Sequence, residues 1–135
     1  MREIFADTSG WLAIVVKTDS LHEKAVKVYS ELLESNYSFI THDAILLEVG
    51  NSLSRAKARN IAVKLKENIE NSKRIELISL SPKLIEAGWK LYAERNDKDW
   101  GIVDCISFVV MNNLGITEAL TADEHFKQAG FTKLL

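Results

Sequence analysis

Strand-like and helix-like segments alternate along this chain, and that alternation limits its possible folds more than any other feature. Short apolar runs before Asp7 and at 37–41, 75–79 and 116–122 have the length and residue types of strands, and longer segments with helical periodicity separate them. Strands that alternate with helices form a parallel sheet with right-handed crossovers and helices on both faces. The sequence therefore predicts an α/β fold, a single-domain three-layer α/β/α arrangement around a central, mainly parallel sheet.

Length and composition are those of one domain. A chain of 135 residues with 47% hydrophobic content can bury about two thirds of its unfolded surface, and no repeat or linker divides it, so 1–135 is expected to be a single domain. Met1 leads directly into the first strand and no apolar run approaches the ~20 residues of a membrane span, so neither a signal peptide nor a membrane is expected. Cys105 is the only cysteine, which fits a cytoplasmic protein.

Asp7 ends the first strand and is followed by Thr8 and Ser9, which can open a helix. The carboxyl ends of strands in an open α/β sheet are where ligands bind, so a carboxylate there can serve chemistry. It can also simply cap the next helix. For Asp7 taken alone the cap is the simpler explanation, and the functional interpretation depends on the acids that join it.

Capping residues predict where several helices begin. Ser20 and Glu23 have the spacing of a capping box, and Asp43 is expected to cap the helix after the second strand. Ser81 before Pro82 predicts a cap and a first-turn proline for a later helix. The basic segment 54–74 is also expected to be helical, with a solvated face as the simpler interpretation and a nucleic-acid or partner surface as the alternative.

The helix after Asp43 carries a second acid of interest. Ile45, Val49 and Leu53 share one face at helical spacing, and Glu48 falls on the border of that face rather than on the opposite, solvated side. Glu48 is therefore expected to point into a cleft.

Acidic residues crowd the segment before the most apolar helix of the chain. Positions 102–114 are nearly all apolar and Gly115 follows them, which predicts a buried helix with a glycine cap and Asp104 in its first turn. The helix dipole would stabilise that carboxylate in part, which is a purely structural role. A charge against so apolar a helix nevertheless needs a partner.

The fourth predicted strand also ends in an acid, Asp123, and so repeats the pattern of Asp7. In a parallel sheet such strand ends gather at one edge. Four carboxylates are expected to converge there: Asp7, Glu48, Asp104 and Asp123.

A cluster of four carboxylates repels itself unless protons or cations neutralise it. The three histidines, His22, His42 and His125, are scattered along the sequence, and the single cysteine offers no cysteine-rich site. Oxygen ligands without clustered nitrogen or sulfur suit Mg²⁺ or Mn²⁺ over Zn²⁺. A hard divalent ion can deprotonate water and clamp the oxygens of a phosphodiester during in-line attack, which is nuclease chemistry.

Four blocks of the sequence, in order, also resemble a known family. They are Asp7-Thr8-Ser9, Glu48-Val49-Gly50-Asn51, the segment from Asp97 to Phe108, and the segment from Thr121 to Leu134. Together they resemble the PIN domain and, more narrowly, the VapC toxins, and they cover the chain from end to end. The resemblance implies that the four acids match the metal-binding acids of an Mg²⁺-dependent endoribonuclease.

The resemblance also implies neighbours for the metal ligands. Thr8 and Thr121 match small hydroxyl positions near the metal. Asp97 and Asp99 are candidates for contacts with the metal ligands, or for loop caps, rather than direct ligands. The implied partners are an RNA substrate and an inhibitory antitoxin, with Mn²⁺ able to replace Mg²⁺, and the apolar content suggests a homodimer.

Other α/β proteins with acids at strand ends fit less well. A response-regulator receiver needs an acidic pair after strand one and an Asp after strand three, but Thr8 and Ser9 follow Asp7, and the third strand ends at Ser79. A haloacid-dehalogenase-type phosphatase needs an Asp where Ser9 stands. A PIN-like scaffold that binds partners without cutting stays open as an alternative, although such a scaffold is expected to have lost some of the four acids.

Overall fold

A five-stranded parallel sheet forms the centre of the computed structural model, which describes residues 2–135. The strands are β1 (Arg2–Ala6), β2 (Tyr37–His42), β3 (Ile75–Ile78), β4 (Glu118–Leu120) and β5 (Thr132–Lys133). Their order is β3-β2-β1-β4-β5, and each neighbouring pair is parallel. The predicted mainly parallel sheet is confirmed.

Seven helices accompany the strands in this part of the chain. They are α1 (Thr8–Val15), α2 (His22–Glu34), α3 (Asp43–Ser52), α4 (Arg59–Asn71), α5 (Pro82–Glu94), α6 (Ile102–Leu114) and α7 (Glu124–Gln128). Helix α1 packs on α2 and α3, and α3 packs on α4, whereas α5 packs on α6 and α6 on α7. These two groups cover the sheet, which confirms the three-layer α/β/α fold. Among the helices of residues 2–135, none is long and apolar enough to cross a membrane.

The direction in which strands are added reverses beside β1. The chain places β2 and β3 on one side of β1 and then returns to place β4 and β5 on the other. The backbone N–H of Asp7 donates to the carbonyl of Leu120 at 3.2 Å across this point. In open α/β sheets the crevice at such a reversal is where ligands bind, and the ends of β1 and β4 both open onto it.

The core explains why these segments fold as they do. Ile4, Phe5 and Ala6 of β1 are fully buried, as expected for a central parallel strand covered on both faces. Helix α6 is buried along most of its length, and Gly115 ends it in the left-handed conformation at φ 67°. The predicted buried helix with a glycine cap is therefore confirmed.

Two glycines allow helices to approach their neighbours closely. A Cβ added to Gly10 of α1 would lie 2.1 Å from the carbonyl oxygen of Leu120, and one added to Gly88 of α5 would lie 2.4 Å from Cγ1 of Ile106. Helix α1 therefore sits directly against the end of β4, and α5 lies directly against α6.

Two of the predicted caps are wrong. Helix α2 begins at His22 with Leu21 as its cap residue and has no side-chain capping bond, because the preceding turn is closed by Asp19, which accepts from the Leu21 N–H at 2.8 Å. Asp43 does not cap α3 but is its first residue. Its carboxylate accepts instead from the Leu80 N–H at 3.0 Å, which ties α3 to the loop after β3.

The remaining boundaries differ mainly in length. Ser81 caps α5 as predicted and accepts from the Leu84 N–H at 3.1 Å. Residues 54–58 form turns, so α4 begins only at Arg59. The short strand β5 pairs with β4 and was not predicted, since two residues are too few to show a period-2 pattern.

Candidate active site

Asp7 lies at the end of β1 with only 5% of its surface exposed. It occupies the cap position of α1, yet its side chain makes no capping hydrogen bond. Its Oδ2 accepts instead from Oγ1 of Thr121 at 2.9 Å. Helix capping therefore does not account for this buried carboxylate.

A network of hydroxyl groups joins the ends of β1 and β4 around Asp7. Oγ of Ser9 lies 3.0 Å from Oγ1 of Thr121 and 3.4 Å from Oδ2 of Asp7. The backbone N–H of Ala122 donates to Ser9 and that of Asp123 donates to Thr121, both at 3.0 Å. The network holds the two strand ends in register, and Ser9 is a member that the sequence did not indicate.

Asp104 and Asp123 meet around His125. Nδ1 of His125 donates to Oδ2 of Asp104 at 2.9 Å and lies 3.4 Å from Oδ1 of Asp123. One ligand atom from each of the three residues can be chosen so that all lie within 4.8 Å of one another. These half-buried side chains are therefore close enough to share one bound cation.

The same two carboxylates also stabilise local backbone. Oδ2 of Asp104 accepts from the Gly101 N–H at the start of α6 at 3.0 Å, and Oδ1 of Asp123 accepts from the His125 N–H at the start of α7 at 2.9 Å. These bonds use one oxygen of each carboxylate and fix its orientation, so a structural role does not exclude a chemical one.

Glu48 joins the site from α3. Its Oε1 accepts from Oγ1 of Thr8 at 2.5 Å, which places the carboxylate beside the residue that follows Asp7. Neither Glu48 nor Asp7 belongs to the closely spaced group of Asp104, Asp123 and His125. The structure thus brings two of the four predicted acids together, with Asp7 at the adjacent strand end and Glu48 held through Thr8.

The electrostatics of the site favour added positive charge. Burial is the main cause that raises the pKa of Asp7 to about 7. The hydrogen bonds from Thr121 and the Thr8 backbone oppose the rise, and the negative charges of Asp104 and Asp123 add to it. For His125, burial acts to lower the pKa, but the hydrogen bond to Asp104 and the charges of Asp123 and Asp104 outweigh it and raise the pKa. The shift of Asp7 thus comes mainly from burial, whereas that of His125 comes from the acids around it.

Asp97 and Asp99 lie in the loop before α6. The carboxylate of Asp97 is exposed and forms an ion pair with Arg95 at 3.0 Å, which lowers the pKa of Asp97. Asp99 is exposed and contributes a charge that raises the pKa of His125. Within residues 2–135, the hydrogen bonds that reach Asp104 or Asp123 come from neither of them.

His125 is the site residue that sequence reasoning missed. It follows Asp123 by only two positions, but its partner Asp104 is 21 residues away, and the three histidines are far apart in the sequence. The local signal was an imidazole in the first turn of a helix that an acid caps. The role of His125 becomes visible only in the structure, where the packing of α7 on α6 brings its imidazole to Asp104.

The donor set fits a divalent cation. Carboxylate oxygens are the ligands that Mg²⁺ and Mn²⁺ prefer, and one imidazole nitrogen is tolerated best by transition metals. Asp104 and Asp123 provide the carboxylates within a short span, and the carboxylate of Asp7 is buried at the adjacent strand end. These residues therefore suit a hard divalent ion better than a structural zinc ion.

Comparison with known proteins finds matches over nearly the whole chain. The PIN domain family matches residues 4–132. The 23S rRNA-specific endonuclease VapC20 of Mycobacterium tuberculosis, in strains CDC 1551 / Oshkosh and ATCC 25618 / H37Rv, is 28% identical over 131 residues, which is 97% of this chain and 97% of the relative.

Solved structures show the same relationship. The crystal structure of VapC20 from Mycobacterium tuberculosis, described as a sarcin-ricin loop cleaving toxin, superposes with a TM-score of 0.84 at 28% identity and covers 96% of this chain and 97% of that one. VapBC2 from Rickettsia felis, bound to a promoter DNA fragment, has a TM-score of 0.68 at 18% identity over 97% and 96% of the two chains and shows the shared fold. The chain belongs to the PIN domain family.

Proposed function

We propose that this protein is a metal-dependent endoribonuclease and the toxin of a type II toxin–antitoxin pair. The observation that carries the proposal is the meeting of Asp104, Asp123 and His125 beside the buried Asp7, at the strand reversal of a PIN domain. The similarity to a 23S rRNA-specific endonuclease over nearly the whole chain supports RNA as the substrate class.

The metal that suits this site is Mg²⁺, with Mn²⁺ as a substitute. The residues proposed to hold it are Asp7, Glu48, Asp104 and Asp123. When bound, such an ion polarises a phosphoryl oxygen and lowers the pKa of a bound water. The oxygen-rich donor set supports the choice.

The surrounding residues hold these acids in place. Thr121 and Ser9 orient Asp7 through its Oδ2, and Thr8 holds Glu48. His125 keeps a proton on Nδ1 between Asp104 and Asp123. A protonated imidazole and a divalent cation are both positive charges on the same carboxylates, so the two compete, and low pH should weaken metal binding.

Partners follow from the same proposal. VapBC2 of Rickettsia felis supports a cognate antitoxin for this chain as well. An RNA substrate implies a cytoplasmic site of action. A homodimer remains part of the proposal, since several large apolar side chains are exposed on α3 and α4, such as Leu47, Ile61 and Val63.

An RNA cleavage assay tests the enzymatic claim. The purified protein is expected to cut RNA with Mg²⁺ or Mn²⁺ and to lose all activity in EDTA. Asp104→Asn, purified identically, controls for a contaminating host ribonuclease and is expected to reduce cleavage at least 100-fold. Full activity in EDTA, or equal cleavage by Asp104→Asn, would contradict the proposal.

Growth of a bacterial host tests the toxin claim. Expression of this chain alone should slow growth because an uninhibited ribonuclease depletes translation, and Asp7→Ala should relieve the effect. Immunoblots of the soluble fraction show whether both proteins are present at equal levels. The toxin assignment fails if the soluble wild type is harmless or if Asp7→Ala is equally toxic.

A further inference from the structure

A cavity of about 600 Å³ opens beside the candidate active site. It lies between the end of α5 and the loop that leads into α6, and is lined by Trp89, Tyr92, Ala93, Arg95, Asn96, Lys98, Asp99, Trp100, Gly101 and Ile102. Gly101 belongs both to this lining and to the site, because its N–H donates to Asp104. Gly101 therefore links the lining of the cavity to Asp104.

Two aromatic side chains that line this cavity are about half exposed to solvent. Trp89 is 48% exposed and Tyr92 is 47% exposed, and their rings meet edge to face with centroids 5.4 Å apart. The helix that carries them is firmly held, since Gly88 lies directly against Ile106 of α6. The rings thus form a fixed apolar surface that this chain itself leaves partly uncovered.

A third ring, that of Trp100, lies deeper in the lining. It is buried, its Nε1 donates to Gln128 at 3.0 Å, and the guanidinium of Arg95 lies 4.8 Å from its ring centroid. Arg95 is paired with Asp97, and Lys98 faces the same space as Asp99. Positive and negative charges are therefore nearly balanced, and the aromatic surface is the main recognition feature of this cavity.

We propose that this cavity binds unpaired bases of the RNA strand next to the phosphodiester that is cut, with Trp89 and Tyr92 as stacking partners. Stacking of bases on aromatic side chains is sequence-tolerant because every base has a π-face, and RNA recognition favours bases that are already unstacked. The volume lies within the roughly 300–1,000 Å³ of small-ligand sites. This inference rests on the proposed function.

The position of the cavity suits an RNA substrate. Whatever fills it lies against Gly101 and so beside Asp104, where the substrate of a nuclease must also lie. A base within a duplex offers no free face to Trp89, so the cavity should select loops and single strands. Its role would be substrate positioning, separate from the chemistry at the acids.

The test measures binding of a fluorescent 12-nucleotide oligoadenylate by anisotropy in EDTA, where a metal-dependent nuclease cannot cut. The matched probe has the same phosphate backbone but abasic ribose at its central positions. We expect Trp89→Ala/Tyr92→Ala to weaken binding of the oligoadenylate at least tenfold and binding of the abasic probe less than twofold. Trp89→Phe should stay within about threefold of wild type, and Val26→Ala, at an exposed apolar position of α2, should change binding of neither probe.

Unchanged oligoadenylate binding by the double variant, or an equal loss for both probes, would overturn the inference. A double variant that changes from dimer to monomer in light scattering and keeps its RNA affinity would also overturn it, and would assign this face to a second copy of the chain. Melting curves exclude misfolding, and Trp89→Phe with Tyr92→Phe provides a second, conservative comparison.

Cleavage by wild type in Mg²⁺ separates this inference from the proposed function. With an active enzyme, the double variant should raise KM at least tenfold and change kcat less than threefold. If wild type cleaves RNA but the variant binds normally, only the cavity assignment fails. If wild type never cleaves but binds oligoadenylate through these rings, only the nuclease assignment fails.

Discussion

Asp7 is a buried acid whose surroundings oppose its charge. Burial and the neighbouring charges of Asp104 and Asp123 raise its pKa to about 7, against 3.8 for an ordinary Asp. Between these two values the folded chain keeps a proton that the unfolded chain has released. The contribution of Asp7 to the free energy of unfolding should therefore fall as the pH rises from about 4 to about 7, and it should stay level above that.

Asp7→Asn should remove this pH dependence. Without metal, the variant is expected to be more stable than wild type, and the difference should grow by roughly 2 to 3 kcal/mol between pH 5 and pH 8. Urea unfolding of both proteins in EDTA at several pH values measures it. His42, whose pKa burial lowers to about 4, gives the opposite slope below its ordinary value of 6.5, but it is present in both proteins and cancels.

A difference between the two proteins that is independent of pH would contradict the account of Asp7. A variant that is less stable at every pH would indicate that this carboxylate is mainly a structural acceptor for Thr121.

At the scale of single residues, the sequence indicated the four acids and the hydroxyl groups of Thr8 and Thr121, but not Ser9 or His125. The positions of Asp7 and Asp123 followed from the strand pattern because each comes just after a strand. Ser9 and His125 could not be recognised, because their partners Thr121 and Asp104 are distant in sequence. A side chain's role in a site depends on packing that no local pattern records.

At the scale of elements, the position of α1 decides whether the site can form. Gly10 allows the helix to rest on the end of β4, where a Cβ would lie 2.1 Å from the carbonyl oxygen of Leu120. The same helix begins directly after Asp7 and carries Thr8 and Ser9. A shift of α1 would therefore separate Asp7 from Thr121.

Gly10→Ala should reduce both stability and RNA cleavage. The added methyl group meets backbone rather than a movable side chain, and overpacking of this kind costs about 1 to 3 kcal/mol. Gly50→Ala is the matched control, since a Cβ at Gly50 of α3 meets nothing within 4 Å and alanine should stabilise the helix by about 0.5 to 1 kcal/mol.

Urea unfolding and RNA cleavage rates of the two glycine variants test whether the close contact of α1 with β4 is needed for stability and activity. Equal stability and activity of Gly10→Ala and Gly50→Ala would show that α1 can move without consequence, against the close packing described above.

Helices and strands were predicted correctly where their sequence pattern was long. Predictions from short capping motifs were wrong where the capping residue bonds another segment instead. The buried helix α6 was evident from its apolar run and the glycine that follows. The capping box at Ser20 was wrong because Asp19 closes the turn instead, and Asp43 bonds Leu80 rather than its own helix. Local propensity is weaker than these contacts with other segments.

At the scale of the whole molecule, the parallel sheet assembles the site from distant segments. The reversal beside β1 brings the end of the first strand next to the end of the fourth, and α6 adds Asp104 from a third segment. The alternation of strands and helices predicted this edge from the sequence. The distances between the acids at this edge could not be predicted from the sequence. In the structure, Asp104, Asp123 and His125 form a close group that does not include Glu48.

The central claim is that acids from these segments form one divalent metal site, and thermal unfolding with and without Mn²⁺ tests it most directly. The proteins to compare at pH 8 are wild type, Asp7→Asn, Asp123→Asn, and Glu31→Gln, which removes an equal charge at an exposed position of α2. A ligand that binds only the folded state at 100 times its Kd stabilises it by about 2.7 kcal/mol. Asp7→Asn should also melt above wild type in EDTA, whereas Asp123→Asn gains less because its attraction to His125 is lost.

The account predicts that saturating Mn²⁺ raises the melting temperature of wild type and Glu31→Gln by several degrees relative to EDTA, and that this shift is nearly absent in Asp7→Asn and Asp123→Asn. If Mn²⁺ shifts all four proteins equally, and Asp7→Asn melts below wild type in EDTA, the acids do not form a shared metal site and the account is contradicted.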